Sequence, residues 1–168
     1  EVNGVREFQK DRGETFAGPS AGSFVLAVQD AVIAAENAVI AAESLGIGSC
    51  YIGDIMEQKE YHKTLFNLPE YVFPVAMLTL GYYPEDYMVP LKERFAEKYV
   101  VFEERYNELS KEDIDDMFRK RDQLFTAKNK YNAKNYAQMH YNFKVKAPFS
   151  KEMQRSVEEA LKEWDKKE

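Results

Sequence analysis

From Ser23 to Ile47 the chain is almost continuously apolar, broken only by Gln29, Asp30, Glu36, Asn37, Glu43 and Ser44. Those polar residues recur at seven-residue spacing, as 29, 36, 43 and 30, 37, 44, which puts them on one narrow stripe of a helix. A membrane span needs about 20 residues with almost no charge. The stripe therefore predicts a core helix, packed around most of its circumference. Any fold for this chain must supply enough apolar surface to cover it. A self-contained domain of 168 residues buries roughly 70% of its unfolded surface, so length alone permits such a core.

Composition narrows the class. Apolar residues make up 45% and charged residues 31%, a globular profile rather than a disordered one. A single cysteine, Cys50, excludes an internal disulfide and a Cys-rich zinc site. The net charge of −6 argues against a globally basic nucleic-acid binder. No secretory signal leads the chain, which sets a cytoplasmic, membrane-free location as the expectation. Charge and glycine are unevenly spread. Residues 1–84 carry five basic and eleven acidic side chains and all eight glycines, whereas residues 85–168 carry eighteen of each charge and no glycine.

Along the chain, residues 1–22 read as loop with a little helix. Gly46 stands where a left-handed cap would end the long helix, and Cys50-Tyr51-Ile52 reads as a short buried strand. Asp54 fits a helix N-cap, with Glu57 completing a capping box, and that helix should stop before Leu68-Pro69. Tyr71 to Tyr83 reads as a strand. Pro84 and Pro90 bracket a loop, and the chain from Leu91 begins extended. Ser110 is expected to cap a helix with Asp115/Arg119 and Asp116/Lys120 pairs at i,i+4. A polar connection over 129–149 leads to a last amphipathic helix capped by Ser150 and carrying Met153, Val157, Leu161 and Trp164. Two parts are expected: a core over 1–109 and a C-terminal helical extension over 110–168.

Most side-chain chemistry is excluded. Only His62 and His140 exist, far apart, so His-Glu-x-x-His and paired Glu-x-x-His metal motifs are absent. There is no Gly-x-Ser-x-Gly elbow and no Walker sequence. Gly46-Ile47-Gly48 is followed by Tyr51 and lies between a helix and a strand, the wrong order for a dinucleotide fingerprint. A Cys50–His62 thiolate pair is conceivable, but a lone cysteine in an apolar strand is more commonly core. The acids at 112, 113, 115 and 116 lack the glycine of a calcium loop and fit a helix start. We assign no catalytic side chain and no metal ligand.

Two local features remain. In Tyr51-Ile52-Gly53-Asp54 a strand breaks at glycine, where backbone N–H groups can approach a planar ligand closely; the plain alternative is an ordinary strand-to-helix turn. In Pro90-Leu91-Lys92-Glu93-Arg94-Phe95, an extended chain puts Lys92 and Arg94 on one face and Glu93 on the other. Two cations on one face suit a phosphate, the alternative being a solvated strand edge.

Taken in order, these pieces resemble the FMN-dependent nitroreductase family. The resemblance is carried by Asp30-Ala-Val-Ile-Ala-Ala-Glu-Asn37, by Ala41-Ala-Glu-Ser-Leu-Gly-Ile-Gly-Ser-Cys-Tyr-Ile-Gly53, by Leu68-Pro69, by Leu80-Gly-Tyr-Tyr-Pro84 and by Lys92-Glu-Arg94. It covers roughly residues 25–105. It implies an α+β fold, an α/β/α sandwich core with a long central helix and a C-terminal helical arm, forming an intertwined homodimer with FMN at the subunit interface. By the same resemblance, Tyr51, Ile52, Gly53 and Asp54 lie over the flavin with backbone amides near N5 and O4, and Lys92 and Arg94 reach its phosphate. The implied reaction has two steps, in which NAD(P)H reduces the flavin and the flavin reduces a nitroaromatic, quinone or related small-molecule acceptor. Such a cofactor accounts for the lack of a side-chain catalytic set.

The family opens with an Arg- and Ser-rich segment that has no match before the long helix. The resemblance therefore implies that this chain is either the C-terminal portion of a longer protein or a short form without that segment. The long helix is then expected to pack on residues outside this sequence or on a second subunit. Position 54 is Asp, where relatives with Tyr-Ile-Gly often have a second glycine.

Residues 119–151 hold nine Lys or Arg against one acid, Asp122, interleaved with Tyr131, Tyr136, Tyr141 and Phe143. Such a segment can bind single-stranded nucleic acid, but an arm lying on an acidic neighbour is the favoured reading. Nucleic acid is not an expected partner. The competing functional reading is a non-catalytic family remnant or helical interaction module without flavin.

Overall fold

In the computed structural model, the described residues are 8, 10–13, 18–88, 90, 91, 93–126 and 128–165. They form two compact units, one of residues 1–85 with 148–168 and one of residues 86–147. Packing thus groups the last helix with the first part of the chain.

In the first unit, α1 spans Ala21–Ser44. The Ser20 hydroxyl accepts the Ser23 N–H at its start, and Gly46 closes its end with φ +72°, the conformation that glycine adopts without a Cβ penalty. The strands β1 (Ile47–Ile52) and β2 (Met77–Tyr82) pair antiparallel, with Ile47 opposite Tyr82 and Ile52 opposite Met77. Between them lie a tight 3-10 turn, Gly53–Met56, and the short helix α2, Lys59–Leu65.

The core of this unit is aromatic. Trp164 of the last helix meets Phe24 of α1 edge-on, with ring centroids 5.2 Å apart, and Phe73 and Tyr71 pack on the same pair. Edge-to-face contacts align the positive ring edge with a negative ring face and add to burial. Trp164 is only 4% exposed.

Packing around most of α1 is not what this chain provides. Leu26, Ile33 and Ile40 are about 60% exposed or more, at 63%, 62% and 59%, and Phe24 and Ala42 are its buried residues. The reason is supply: one helix and the 71–75 segment face a single sector, and a two-stranded sheet cannot wrap the rest. By length and composition α1 could cross a membrane, yet Asp30 and Glu36 lie within it. Acids at a bilayer centre cost about 2.5–3.5 kcal/mol each. That favours a protein surface as its cover.

Several local expectations shift. Asp54 and Glu57 do not cap α2, because Gly53–Met56 closes its own turn and Gln58 enters the helix in the left-handed region, φ 49°. The caps come from afar: Glu152 accepts the Gln58 N–H at 3.1 Å and Ser156 accepts the Lys59 N–H at 3.1 Å. Cys50 is exposed, not buried, since no described residue of this unit covers it. The strand expected over 71–83 is confined to β2, with Tyr71 at φ 57° and Phe73 turned into the core.

The second unit contains a 3-10 turn, Glu97–Tyr99, then α3, Lys111–Gln123, and α4, Tyr136–His140, which runs into a π-turn at Tyr141–Val145. The 129–149 connection is therefore partly helical. Ser110 caps α3 as expected, and Asp113 completes a capping box. The expected i,i+4 pairs give way to others: Asp116 holds Arg119 at i,i+3, 2.9 Å away, and Lys120 reaches Glu93. The helix α5, Pro148–Trp164, starts two residues before Ser150; proline is favoured in a first turn, where its missing N–H is not needed. It returns to the first unit.

There α5 grips α2 through charge. Arg155 donates to both Glu60 oxygens, at 3.0 and 2.8 Å, and to both oxygens of Glu152. These bonds hold the Glu60 carboxyl down at about 2. A carboxylate with a depressed folded-state pKa stabilises the fold above its unfolded value near pH 4.5, and that contribution fades as pH falls towards 2. Solvent screening of this exposed pair limits it to about 0.5 kcal/mol. Glu60→Gln is expected to flatten the acid limb of the stability profile between pH 4.5 and 2, read by urea titration. Phe24→Ala, which empties the aromatic core, is expected to cost about 3 kcal/mol and to red-shift the emission of Trp164, the single tryptophan.

Candidate functional site

The end of β1 presents the first group of site residues. Tyr51 is partly exposed and its hydroxyl donates to Glu36 of α1 at 3.4 Å. Loss of water around the phenol, then the Glu36 charge, raise its pKa. Ile52 is half-buried and ends the strand, Gly53 and Asp54 are exposed, and Ile55 is buried as the anchor of the turn. In a 3-10 turn the first N–H groups have no acceptor inside the turn, and no side chain caps this one. The Gly53 and Asp54 amides, at the uncapped start of this turn, are thus the candidate backbone donors of the site.

Glycine serves two different purposes here. A Cβ on Gly48 would come within 2.4 Å of the Tyr83 ring, which lies across β1. A Cβ on Gly53 would meet nothing nearer than Met56 Cε, at 3.9 Å. The chain's own packing therefore requires glycine at 48 but not at 53. The backbone at 53 is open, as it is at Gly81.

Arg94 belongs to the second unit, exposed on the irregular stretch before Glu97. It lines a surface cavity of about 430 Å³ with Lys98, Tyr99, Asp116, Arg119 and Lys120. Asp116 is the hub: it accepts from the Tyr99 hydroxyl and from Lys98, 3.2 Å away, and these bonds, Tyr99 first, hold its carboxyl below the usual range. Arg94 has no ion-pair partner among the described residues. Lys92 lies outside the described residues. The sequence did not mark Asp116 as a hub, since its partners at 98 and 99 come from a distant turn. Among the described residues no three His, Cys, Asp or Glu side chains converge as a metal site.

Comparison with known proteins gives this arrangement a context. The family model described as "Nitroreductase family" matches residues 7–82. A curated chromium(VI) reductase from Pseudomonas sp. (strain G-1) is 38% identical over 72 residues, which are 43% of this chain and 30% of that protein. The solved structure of B. megaterium NfrA2 superposes with a TM-score of 0.75 at 29% identity, covering 100% of this chain and 67% of that one. The NADPH:FMN oxidoreductase from Vibrio harveyi, solved with NAD+, superposes with a TM-score of 0.69 at 22% identity, covering 95% and 63%. The chain thus spans under a third of the curated relative and about two thirds of these structures. The fold is that of the nitroreductases, α+β as expected.

The contrast between the two glycines is testable by denaturation. Gly48→Ala is expected to destabilise by about 1 kcal/mol, since the ring tip of Tyr83 has to swing aside, and Tyr83→Ala in the same chain should remove most of that cost. Gly53→Ala is expected to stay within about 0.5 kcal/mol of the parent.

Proposed function

We propose that this chain, whose residues 7–82 match the nitroreductase family model and whose fold is that of the nitroreductases, serves an FMN-dependent oxidoreductase. The observation that carries this reading is the turn at Gly53, which starts without a side-chain cap at a position where a Cβ would meet nothing nearer than 3.9 Å. Those features fit a flat ring edge with acceptor atoms. When bound, FMN supplies the redox chemistry, taking reducing equivalents from NAD(P)H and passing them to an acceptor such as a nitroaromatic or quinone.

The chain's own residues do the holding. The amides of Gly53 and Asp54 donate to ring acceptors, an interaction that a side chain at 54 does not obstruct because the donor is backbone. Tyr51 and Ile52 line the approach from β1. Lys92 and Arg94 pair with the phosphate, Arg through its forked donors and Lys as a point charge. No side chain here is assigned a proton-transfer role. The apolar face of α1 is covered by a second subunit in a homodimer, with the flavin at the interface, and the protein works in the cytoplasm. NAD(P)H and a small-molecule acceptor are its only other partners in this reading.

Flavin retention tests the proposal. Purified protein incubated with FMN and passed over a desalting column is expected to stay yellow, and its flavin absorbance is expected to bleach on anaerobic addition of NAD(P)H. Lys92→Ala with Arg94→Ala should weaken FMN binding about tenfold or more, consistent with loss of two charge-assisted contacts, with unchanged far-UV circular dichroism. A colourless protein that gains no flavin overturns the reading in favour of a non-catalytic module. Undiminished flavin occupancy in the double variant overturns the phosphate assignment.

A further inference from the structure

Residues 128–146 contain five lysines, three tyrosines and a phenylalanine, and no acid at all. The structure gathers part of this composition into one place. Asn129 folds the entry loop by accepting the Tyr131 and Ala133 N–H groups, at 3.1 and 3.0 Å, while its own amide donates to the Ala133 carbonyl at 3.0 Å. That turn brings Tyr131 back against the helical stretch, 6.0 Å from the Phe143 ring. On the same side, Tyr136 and His140 lie one turn apart with rings 6.0 Å apart and 32° from parallel. The helix there widens into the π-turn, with the Lys146 N–H donating to the Tyr141 carbonyl at 3.0 Å; such widenings are frequent at functional sites.

These rings line an open cavity of about 480 Å³, within the range of small-molecule sites. Its two cations sit at the ring faces: the Lys130 ammonium is 4.9 Å from the Tyr131 centroid and 5.7 Å from that of Phe143, and the Lys144 ammonium is 4.7 Å from Phe143. Among the described residues, no carboxylate lines the cavity. Aromatic walls select a flat ligand, and two ammonium groups among the lining residues select negative charge.

We propose that this pocket binds small planar aromatic anions, an arene of one or two fused rings carrying a carboxylate. The rings take the arene between them, and Lys130 and Lys144 take the carboxylate. Single-stranded nucleic acid shares the taste for rings and cations. It requires a basic groove that follows several phosphates, whereas the feature here is one concavity. The proposal goes beyond the flavin reading and does not depend on it.

The test is calorimetric titration of the FMN-free full chain with 2-naphthoate, and with 2-naphthamide, which has the same rings without the charge. Naphthoate is expected to bind about fivefold or more tighter than the amide, since two partly exposed charge contacts act together. Lys130→Gln with Lys144→Gln should remove that preference while leaving amide affinity unchanged. Phe143→Leu, which keeps bulk but loses the flat face, should weaken both compounds. Equal affinity for the two compounds, no binding of either at millimolar concentration, or full naphthoate affinity in the lysine variant overturns the proposal. So does displacement of naphthoate by a lower concentration of oligothymidylate, which reassigns the surface to nucleic acid. None of these outcomes bears on FMN binding.

Discussion

The uncovered side of α1 is the constraint from which the rest follows. A helix of 24 residues this rich in Val, Ile, Leu and Ala leaves most of its apolar surface in water when, among the described residues, Phe24 and Ala42 alone of the helix are buried. At roughly 25 cal/mol per Å², such exposure is a persistent drive towards association. Charge limits what can answer it, because Asp30, Glu36 and Glu43 keep one stripe polar. A partner protein surface satisfies both demands. The proposed homodimer is the simplest such partner, since it supplies the same apolar face twice.

What this chain does complete is the support of the Gly53 turn. The turn hangs between β1 and α2, and α2 is fixed by α5: Glu152 and Ser156 accept its first N–H groups, Arg155 clamps Glu60, and buried Lys59 pairs with Glu163. Trp164 in turn pins α5 to α1 through Phe24. A site made of bare backbone needs such a frame, because it has no side chain to position itself. The far end of the sequence thus holds the near-middle turn in place.

The sequence was most legible where the signal is local. The Ser110 cap, the left-handed Gly46 and the long apolar helix all follow from spacing and residue type, and Tyr51-Ile52-Gly53 was recognisable as a strand running into a turn. What failed was non-local. Asp54 and Glu57 look like a capping box, yet the true caps of α2 stand nearly a hundred residues away on α5, and no window of sequence contains both. The length of the strand near 71–83 was overestimated for the same reason: Tyr71 and Phe73 obey Trp164 rather than a ladder. Packing within the chain around most of α1 was overestimated from its pattern, because periodicity reports which face is apolar and not which neighbour covers it; the resemblance had placed that neighbour outside this sequence or on a second subunit. In the second unit, the aromatic and lysine residues of 128–146 were visible as composition, but only the Asn129 turn brings Tyr131 to Phe143.

The account joins two claims, that the bare turn takes a flavin and that α1 is covered by a second copy. Native mass spectrometry of the protein purified with FMN tests both in one spectrum. The account predicts a species of two chains carrying bound FMN, which releases flavin when the dimer is dissociated. A monomer, or a dimer that carries no FMN in the presence of excess flavin, contradicts it.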